Sequence, residues 1–348
     1  MLLERTIATI IHDLQQCHTI SDEELILLLN KDSDALFTAA DSVRKKVYGN
    51  DVYIRGLIEF TNYCRNNCYY CGLRRGNDTV IRYRLSKEDI IACCTEGYEL
   101  GFRTFVLQGG EDFHYTDHDM CDIISTIRTL FPDCAITLSI GERSRASYQA
   151  YFDAGATRYL LRHETATDAH YKALHPDDMS LENRKQCLYT LKEIGFQVGA
   201  GFMVGSPGQT IENILADLRF LQELKPDMVG IGPFIHHHAT PFRDMPNGSV
   251  ELTFRILAIV RLMLPHVLLP VTTALSTCFE HGHIKGLCAG CNVIMPNLSP
   301  KNVRKHYNLY DNKHSSGTEA AEHLARLKRE VAQAGYQIVT ARGDVIKE

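Results

Sequence analysis

The chain has 348 residues, 45% of them apolar and 23% charged, with a formal net charge of −5. That length and composition can bury one large core, and the charge is too mild to mark a nucleic-acid or anionic-membrane surface. No apolar run approaches the ~18 residues a membrane span needs. At the N-terminus, Glu4, Arg5 and Asp13 interrupt the stripe of Leu3, Ile7, Ile10, Ile11 and Leu14, so this stretch reads as a packed helix and not a targeting signal. Twelve cysteines without such a signal point to thiol or metal chemistry in a reducing cytoplasm, not to disulfides.

Residues 1–50 are expected to form a helical extension, in which Ser21-Asp-Glu-Glu24 is a capping box ahead of Leu25, Leu28 and Leu29. Residues 51–310 then alternate eight short apolar runs with amphipathic stretches. The runs are Val52–Phe60, Thr104–Leu107, Ala135–Ile140, Arg158–Leu161, Gln197–Val204, Met228–Ile231, Leu268–Thr273 and Asn292–Met295. This is the pattern of an α/β protein, a (βα)8 TIM-type barrel. Polar or Gly-rich signatures follow nearly every run, among them Gln108-Gly-Gly-Glu-Asp112, Ser139-Ile-Gly-Glu142, Arg162-His-Glu-Thr165 and Thr272-Thr-Ala-Leu-Ser276. In a barrel they share the C-terminal rim, where catalytic residues converge. Turn-making accounts for their Gly, Pro, Ser and Asn but not for Glu111, Arg162 or Glu164. Residues 311–348 read as a short C-terminal extension, with a helix over Glu319–Gln333 and an extended segment over Gly335–Thr340.

After the first run comes Cys64-Arg-Asn-Asn-Cys68-Tyr-Tyr-Cys71. The C-x3-C-x2-C spacing lets three thiolates meet at one soft metal centre and leaves a fourth coordination position open. A structural zinc site is the competing reading, although such sites usually take four ligands in paired C-x2-C groups. Cys288-Ala-Gly-Cys291 is expected to be a pair of buried free thiols; Cys93, Cys94, Cys121, Cys134 and Cys187 read as small core residues. His236-His-His238 is a weak metal-binding tract better read as loop.

The cysteine triple with Tyr70 and the Gly-Gly-Glu element resembles the radical S-adenosylmethionine (SAM) family. Within it, the chain resembles the HydE maturases of the FeFe-hydrogenase H-cluster. The resemblance is carried further by Cys71-Gly-Leu-Arg-Arg75, Leu160-Leu-Arg-His-Glu-Thr-Ala166, Met228-Val-Gly-Ile-Gly-Pro-Phe234 and Asn292-Val-Ile-Met-Pro-Asn297. It implies one 4Fe-4S cluster on Cys64, Cys68 and Cys71, whose open fourth iron binds SAM and starts the chemistry by forming a 5'-deoxyadenosyl radical. Tyr70, Gly109, Gly110, Glu111, Glu164 and Arg184 would then bind the cofactors. Arg162, Thr272, Thr273 and Tyr307 would face the substrate, with Tyr310 nearby. The implied substrate is a HydG-derived iron complex carrying cysteine, carbonyl and cyanide ligands. Ferredoxin or flavodoxin would be the one-electron donor, HydG and HydF the protein partners, and no nucleic acid or membrane is involved. The HydE accessory-cluster cysteines have no counterpart after Cys291, and none is expected there. A related radical SAM enzyme with an organic substrate, as in methylornithine synthase or biotin synthase, and a non-catalytic iron-sulfur carrier or scaffold are the alternatives.

Overall fold

The protein is described by a computed structural model over residues 6–31, 34–313 and 320–346, so Leu3, Glu4, Arg5 and Glu319 lie outside the described residues. The N-terminal helices are α1 (Ile7–Cys17), α2 (Asp22–Asn30) and α3 (Asp34–Tyr48). The Ser21 side chain and Glu24 satisfy each other's backbone amides at the start of α2, the reciprocal cap the sequence suggests. The buried faces of these helices, including Ile10, Leu14, Leu25, Leu28 and Leu36, join the same apolar core as the barrel.

The first expected run becomes two strands, β1 (Asp51–Ile54) and β2 (Gly56–Thr61). The chain continues through α4 (Lys87–Glu99), β3 (Thr104–Gly109), α5 (Asp117–Leu130), β4 (Ala135–Ser139), α6 (Arg145–Ala154) and β5 (Arg158–Leu160). Next come α7 (Asp168–Leu174), α8 (Leu181–Ile194), β6 (Gln197–Ala200), β7 (Met203–Val204), α9 (Ile211–Leu224), β8 (Met228–Val229) and β9 (Gly232–Pro233). The last part holds α10 (Val250–Met263), β10 (Pro270–Val271), α11 (Thr273–Cys278), α12 (Gly282–Cys288), β11 (Val293–Ile294), α13 (Lys301–Arg304), α14 (Ala320–Gln333) and β12 (Gln337–Val339).

Strands β2-β3-β4-β5-β6-β8 form one parallel sheet and β10-β11-β1-β12 another. Parallel bridges from Met228 to Leu268 and from Leu57 to Asn297 join the two into a closed ring. The break at Arg55 is a change of neighbour. Below it β1 pairs with β12, and above it β2 pairs with β3, while the Arg55 amide still donates to the Ile294 carbonyl at 3.0 Å. The run Gln197–Val204 divides at Gly201, whose φ of 150° suits only glycine and whose Cβ would lie 2.0 Å from the Gly230 carbonyl oxygen. The run Leu268–Thr273 is shorter than expected: Thr272 caps α11 and Thr273 begins it.

The C-terminal segment closes the barrel at the N-terminal ends of its strands. There Arg158 donates to the Arg342 and Gly343 carbonyls, each at 3.1 Å, and pairs with Asp344 at 2.6 Å. The Thr104 hydroxyl donates to the Arg342 carbonyl at 2.7 Å. Cys93, Cys94, Cys134, Cys187 and Cys291 are buried, but Cys288 is exposed and Cys121 half-buried, which corrects the expectation for both. Cys288 ends the short helix α12, where its thiol meets the Tyr336 hydroxyl at 3.6 Å on the outside of the core. No helix among the described residues is long and apolar enough to cross a membrane.

Candidate functional site

The loop after β2 carries Cys64, Cys68 and Cys71, all free thiols. Backbone bonds to three other rim segments shape it: Arg65 N–H to Glu111 O at 2.9 Å, Tyr69 N–H to Leu174 O at 3.0 Å and Gly72 N–H to Leu309 O at 2.8 Å. Arg82 clamps it from inside, donating to the carbonyls of Asn62 at 2.5 Å, Leu73 at 2.9 Å, Arg74 at 2.8 Å and Asn77 at 3.1 Å. Gly110 lets the strand-two turn lie directly on the loop, since a Cβ there would meet Tyr63 O at 2.2 Å and Cys64 Cβ at 2.6 Å. Gly109 packs in the same way on Thr61.

Burial pushes the Cys71 thiol up to about 12, with the neighbouring Cys64 adding to the rise, and pushes Cys68 well above the ordinary range with Cys71 and Cys64 contributing. Three thiols that resist ionisation chiefly because they are buried would be fixed as thiolates by a metal, whose charge reverses that balance. The donor set therefore fits an iron-sulfur cluster with three protein ligands.

A cleft of about 470 Å³ opens beside the loop, lined by Arg65, Asn66, Glu111, Glu142, Met179 and Asn183 among others. Its size suits a cofactor-sized ligand. Glu111 accepts the Glu142 amide at 2.9 Å and stands 3.5 Å from Arg65. Gly141, at φ 78°, passes so close that a Cβ would overlap the Glu111 side chain at 1.9 Å. Arg184 lies behind this wall and pairs with Glu142 at 2.6 Å. Glu164, expected in the same pocket, pairs instead with Arg162 at 2.9 Å. It does so from φ 66°, a left-handed conformation uncommon outside glycine. Neither Glu164 nor Arg184 lines the cleft. The Tyr70 hydroxyl donates to His175 Nε2 at 3.1 Å, while His175 Nδ1 donates to Tyr171 O at 2.9 Å. Burial lowers His175 to about 3, so the ring is neutral and can accept.

Deeper in the barrel, Arg162 Nε is buried and has no partner among the described residues. Thr272 donates to Ile231 O at 3.3 Å, and Tyr307 is buried, its hydroxyl accepting from Gln108 at 3.4 Å. Burial also raises the Tyr310 hydroxyl, beside Thr277. Thr273 lines a smaller cavity of about 70 Å³ together with Glu59, Ser276, Asn297 and Lys313. Lys313 pairs with the fully buried Glu59 and donates to Tyr307 O at 2.9 Å. The extension thus reaches the interior, although its sequence carries no chemical motif. Arg82, His175 and Lys313 were not legible as site residues. Glu142 had a signal, its place at the end of Ser139-Ile-Gly-Glu142.

A closed parallel barrel with a three-cysteine loop and a cofactor-sized cleft on its C-terminal rim defines the radical SAM class, and residues 58–221 match the model of the Radical SAM superfamily. Two proteins sharpen this. The [FeFe] hydrogenase maturase subunit HydE of Thermotoga maritima is 47% identical over 281 residues, covering 81% of this chain and 80% of that protein. The 3-methylornithine synthase of Methanosarcina barkeri is 30% identical over 303 residues, covering 84% of each. The chain belongs to the HydE family of radical SAM enzymes, whose work is hydrogenase maturation. Among solved structures, methylornithine synthase matches with a TM-score of 0.83 at 25% identity, covering 95% of this chain and 97% of that one. The maturase HydG from Carboxydothermus hydrogenoformans matches in fold, with a TM-score of 0.79 at 22% identity, covering 95% of this chain and 78% of that one. The family implies a 4Fe-4S cluster and SAM.

Proposed function

We propose that the protein reductively cleaves SAM and directs the resulting radical onto a small substrate inside the barrel, a HydG-derived iron complex with cysteine, carbonyl and cyanide ligands. The observation that carries this reading is the continuity of the rim. The cysteine loop meets the cleft wall at Glu111 and Gly110, Arg184 behind that wall pairs with Glu142 and donates to the Arg162 carbonyl at 3.5 Å, and the Arg162 guanidinium, paired with Glu164, keeps an unpartnered Nε. When bound, the cluster and SAM supply an electron and a 5'-deoxyadenosyl radical.

The chain's own residues do the rest. Cys64, Cys68 and Cys71 hold the cluster and leave one iron free. The Glu111 carboxylate would receive the ammonium of the methionyl group, and Arg184 keeps Glu142 in place beside it. Gly109 and Gly110 permit backbone approach, and Tyr70, fixed by His175, covers the cluster side. Arg162 suits an anionic ligand, because a guanidinium offers a fork of donors to cyanide or carboxylate, while Thr272 is engaged with Ile231 O and Thr273 lines the cavity of Glu59 and Lys313. Tyr307 closes the wall. A ferredoxin or flavodoxin supplies the electron, HydG the substrate, and HydF receives the product, all in the cytoplasm.

The likeness to methylornithine synthase favours a second reading, the same radical acting on an organic amino acid. The test is anaerobic. Cluster-loaded, reduced protein is given SAM with either the HydG product or lysine, and 5'-deoxyadenosine is quantified beside a Cys68→Ala control. Turnover with the HydG product alone supports the proposal, and turnover with lysine alone replaces it with the second reading. A loaded cluster that yields no nucleoside with either sinks both readings.

A further inference from the structure

The His236-His-His238 tract has no part in the function above, yet the fold brings a carboxylate to it. After α13 the chain turns so that the Asp311 amide donates to the His236 carbonyl at 3.0 Å, and the His238 amide donates to Asp311 Oδ2 at 2.8 Å. With Oδ2 held, Oδ1 faces the two rings: it is 2.7 Å from His238 Nδ1 and 3.9 Å from His237 Nε2. The His237 and His238 rings stack with centroids 4.4 Å apart and planes tilted by 22°. The three donor atoms all lie within 4.8 Å of one another.

We propose that His237, His238 and Asp311 form a binding site for one borderline divalent cation such as Zn²⁺. A tetrahedral ion with ligands about 2.1 Å away sets those ligands roughly 3.4 Å apart, so the two Asp311 pairs, at 2.7 and 3.9 Å, shift by about 0.5–0.7 Å to close on it and the imidazole pair, within 4.8 Å, by no more than about 1.4 Å. Two imidazoles and one carboxylate select zinc, cobalt, nickel or ferrous iron over magnesium or calcium, which prefer all-oxygen shells. The Asp311 Oδ2 bond to the His238 amide is the outer-shell contact that orients such a ligand. Solvent reaches the site through His238, whose side chain is 70% exposed, while His237 is buried. Two contacts must give way: the His238 Nδ1–Asp311 Oδ1 hydrogen bond at 2.7 Å, whose proton leaves when both atoms turn to the ion, and the bond in which His237 Nδ1 accepts the Ala239 amide at 3.1 Å, because ligation through Nε2 moves the ring proton to Nδ1. That cost favours moderate affinity.

The position gives the ion a task. Gly72 follows the last cysteine of the loop, and a Cβ there would lie 2.2 Å from Asn308 O and 2.4 Å from His237 Cδ2. An ion here pins the segment at 308–311 and the histidine loop against the back of the cysteine loop.

The test uses tag-free, cluster-loaded protein under anaerobic conditions, with Zn²⁺ alone as the probe and equilibrium dialysis read by elemental analysis for zinc and iron. Expected is about one zinc per chain with unchanged iron, and an affinity weakened by at least about tenfold in both His238→Ala and Asp311→Asn, since loss of a direct ligand costs no less than loss of an outer-shell partner. His238 is exposed, so its variant folds. Equal zinc uptake by the native protein and both variants, or no uptake at micromolar free zinc, overturns the site.

Discussion

The two mouths of the barrel are built on opposite terms. At the N-terminal ends of the strands, Arg158 is saturated by two carbonyls, Asp344 and the Thr104 hydroxyl, and β12 completes the pairing of β1. At the C-terminal ends, thiols are held from ionising, a glutamate occupies a left-handed conformation, and Arg162 Nε has no partner among the described residues. The first end pairs most of its polar groups within the chain, although the buried Arg55 keeps Nε and Nη2 without a hydrogen-bond partner among the described residues. The second leaves its polar groups ready for ligands, which is where strain and unmatched charge belong in an enzyme.

Arg158→Ala should have the largest effect on stability. It strips acceptors and a carboxylate of a buried partner, for an expected loss of about 3 kcal/mol. Thermal unfolding would show this, while 5'-deoxyadenosine formed per folded, cluster-loaded chain stays the same. Lost turnover with full cluster loading would mean that the two mouths are coupled.

Acid should separate the mouths next. His175 ordinarily titrates near 6.5, and burial lowers it to about 3 in the folded protein. The unfolded chain therefore binds a proton that the native ring refuses. Stability is fully present above pH 6.5 and drains as pH falls toward 3, by about 2 kcal/mol at pH 5. Burial works against the Asp344 carboxylate, but the Arg158 guanidinium outweighs it and lowers that group below 3.8, so the other mouth weakens only at more acid pH. Denaturant melts from pH 7 to 5 should show the slope in the native protein and a much flatter one in His175→Gln. Equal slopes would remove His175 as the cause.

Glu111→Gln sharpens the contrast at the ligand side. The amide oxygen still accepts the Glu142 N–H, so the fold stands, but the charge proposed to receive the SAM ammonium is gone. SAM affinity, measured calorimetrically on loaded protein, should fall about tenfold, as expected for a charge-assisted bond made neutral. The smallest effect belongs to neither mouth. Lys172→Ala breaks an exposed i,i+4 pair with Asp168 and should leave Tm unmoved within error.

Local signals made the cysteine loop, the capped helices and most barrel strands legible. Cys64, Cys68 and Cys71 declare themselves by spacing, Ser21 and Glu24 by the capping box, and the strands by apolar runs. The pairings were less accessible. Arg162–Glu164 and Arg184–Glu142 depend on which way rim side chains turn, and spacing does not encode that. Thr272 and Thr273 read as strand because β-branched residues favour it, but the backbone turned there into α11.

By itself, then, the sequence determined the alternation that makes a barrel and the closely spaced cysteine triple, because apolar period and cysteine spacing are properties of neighbouring residues. The tertiary structure alone decided that Lys313 reaches Glu59, that Arg82 clamps the cysteine loop, that Asp311 meets His237 and His238, and that Arg158 is sealed by the C-terminal segment. Each of these joins residues brought together by the closure of the ring or the path of a loop. Such contacts follow from the geometry of the whole core, and no local pattern carries them.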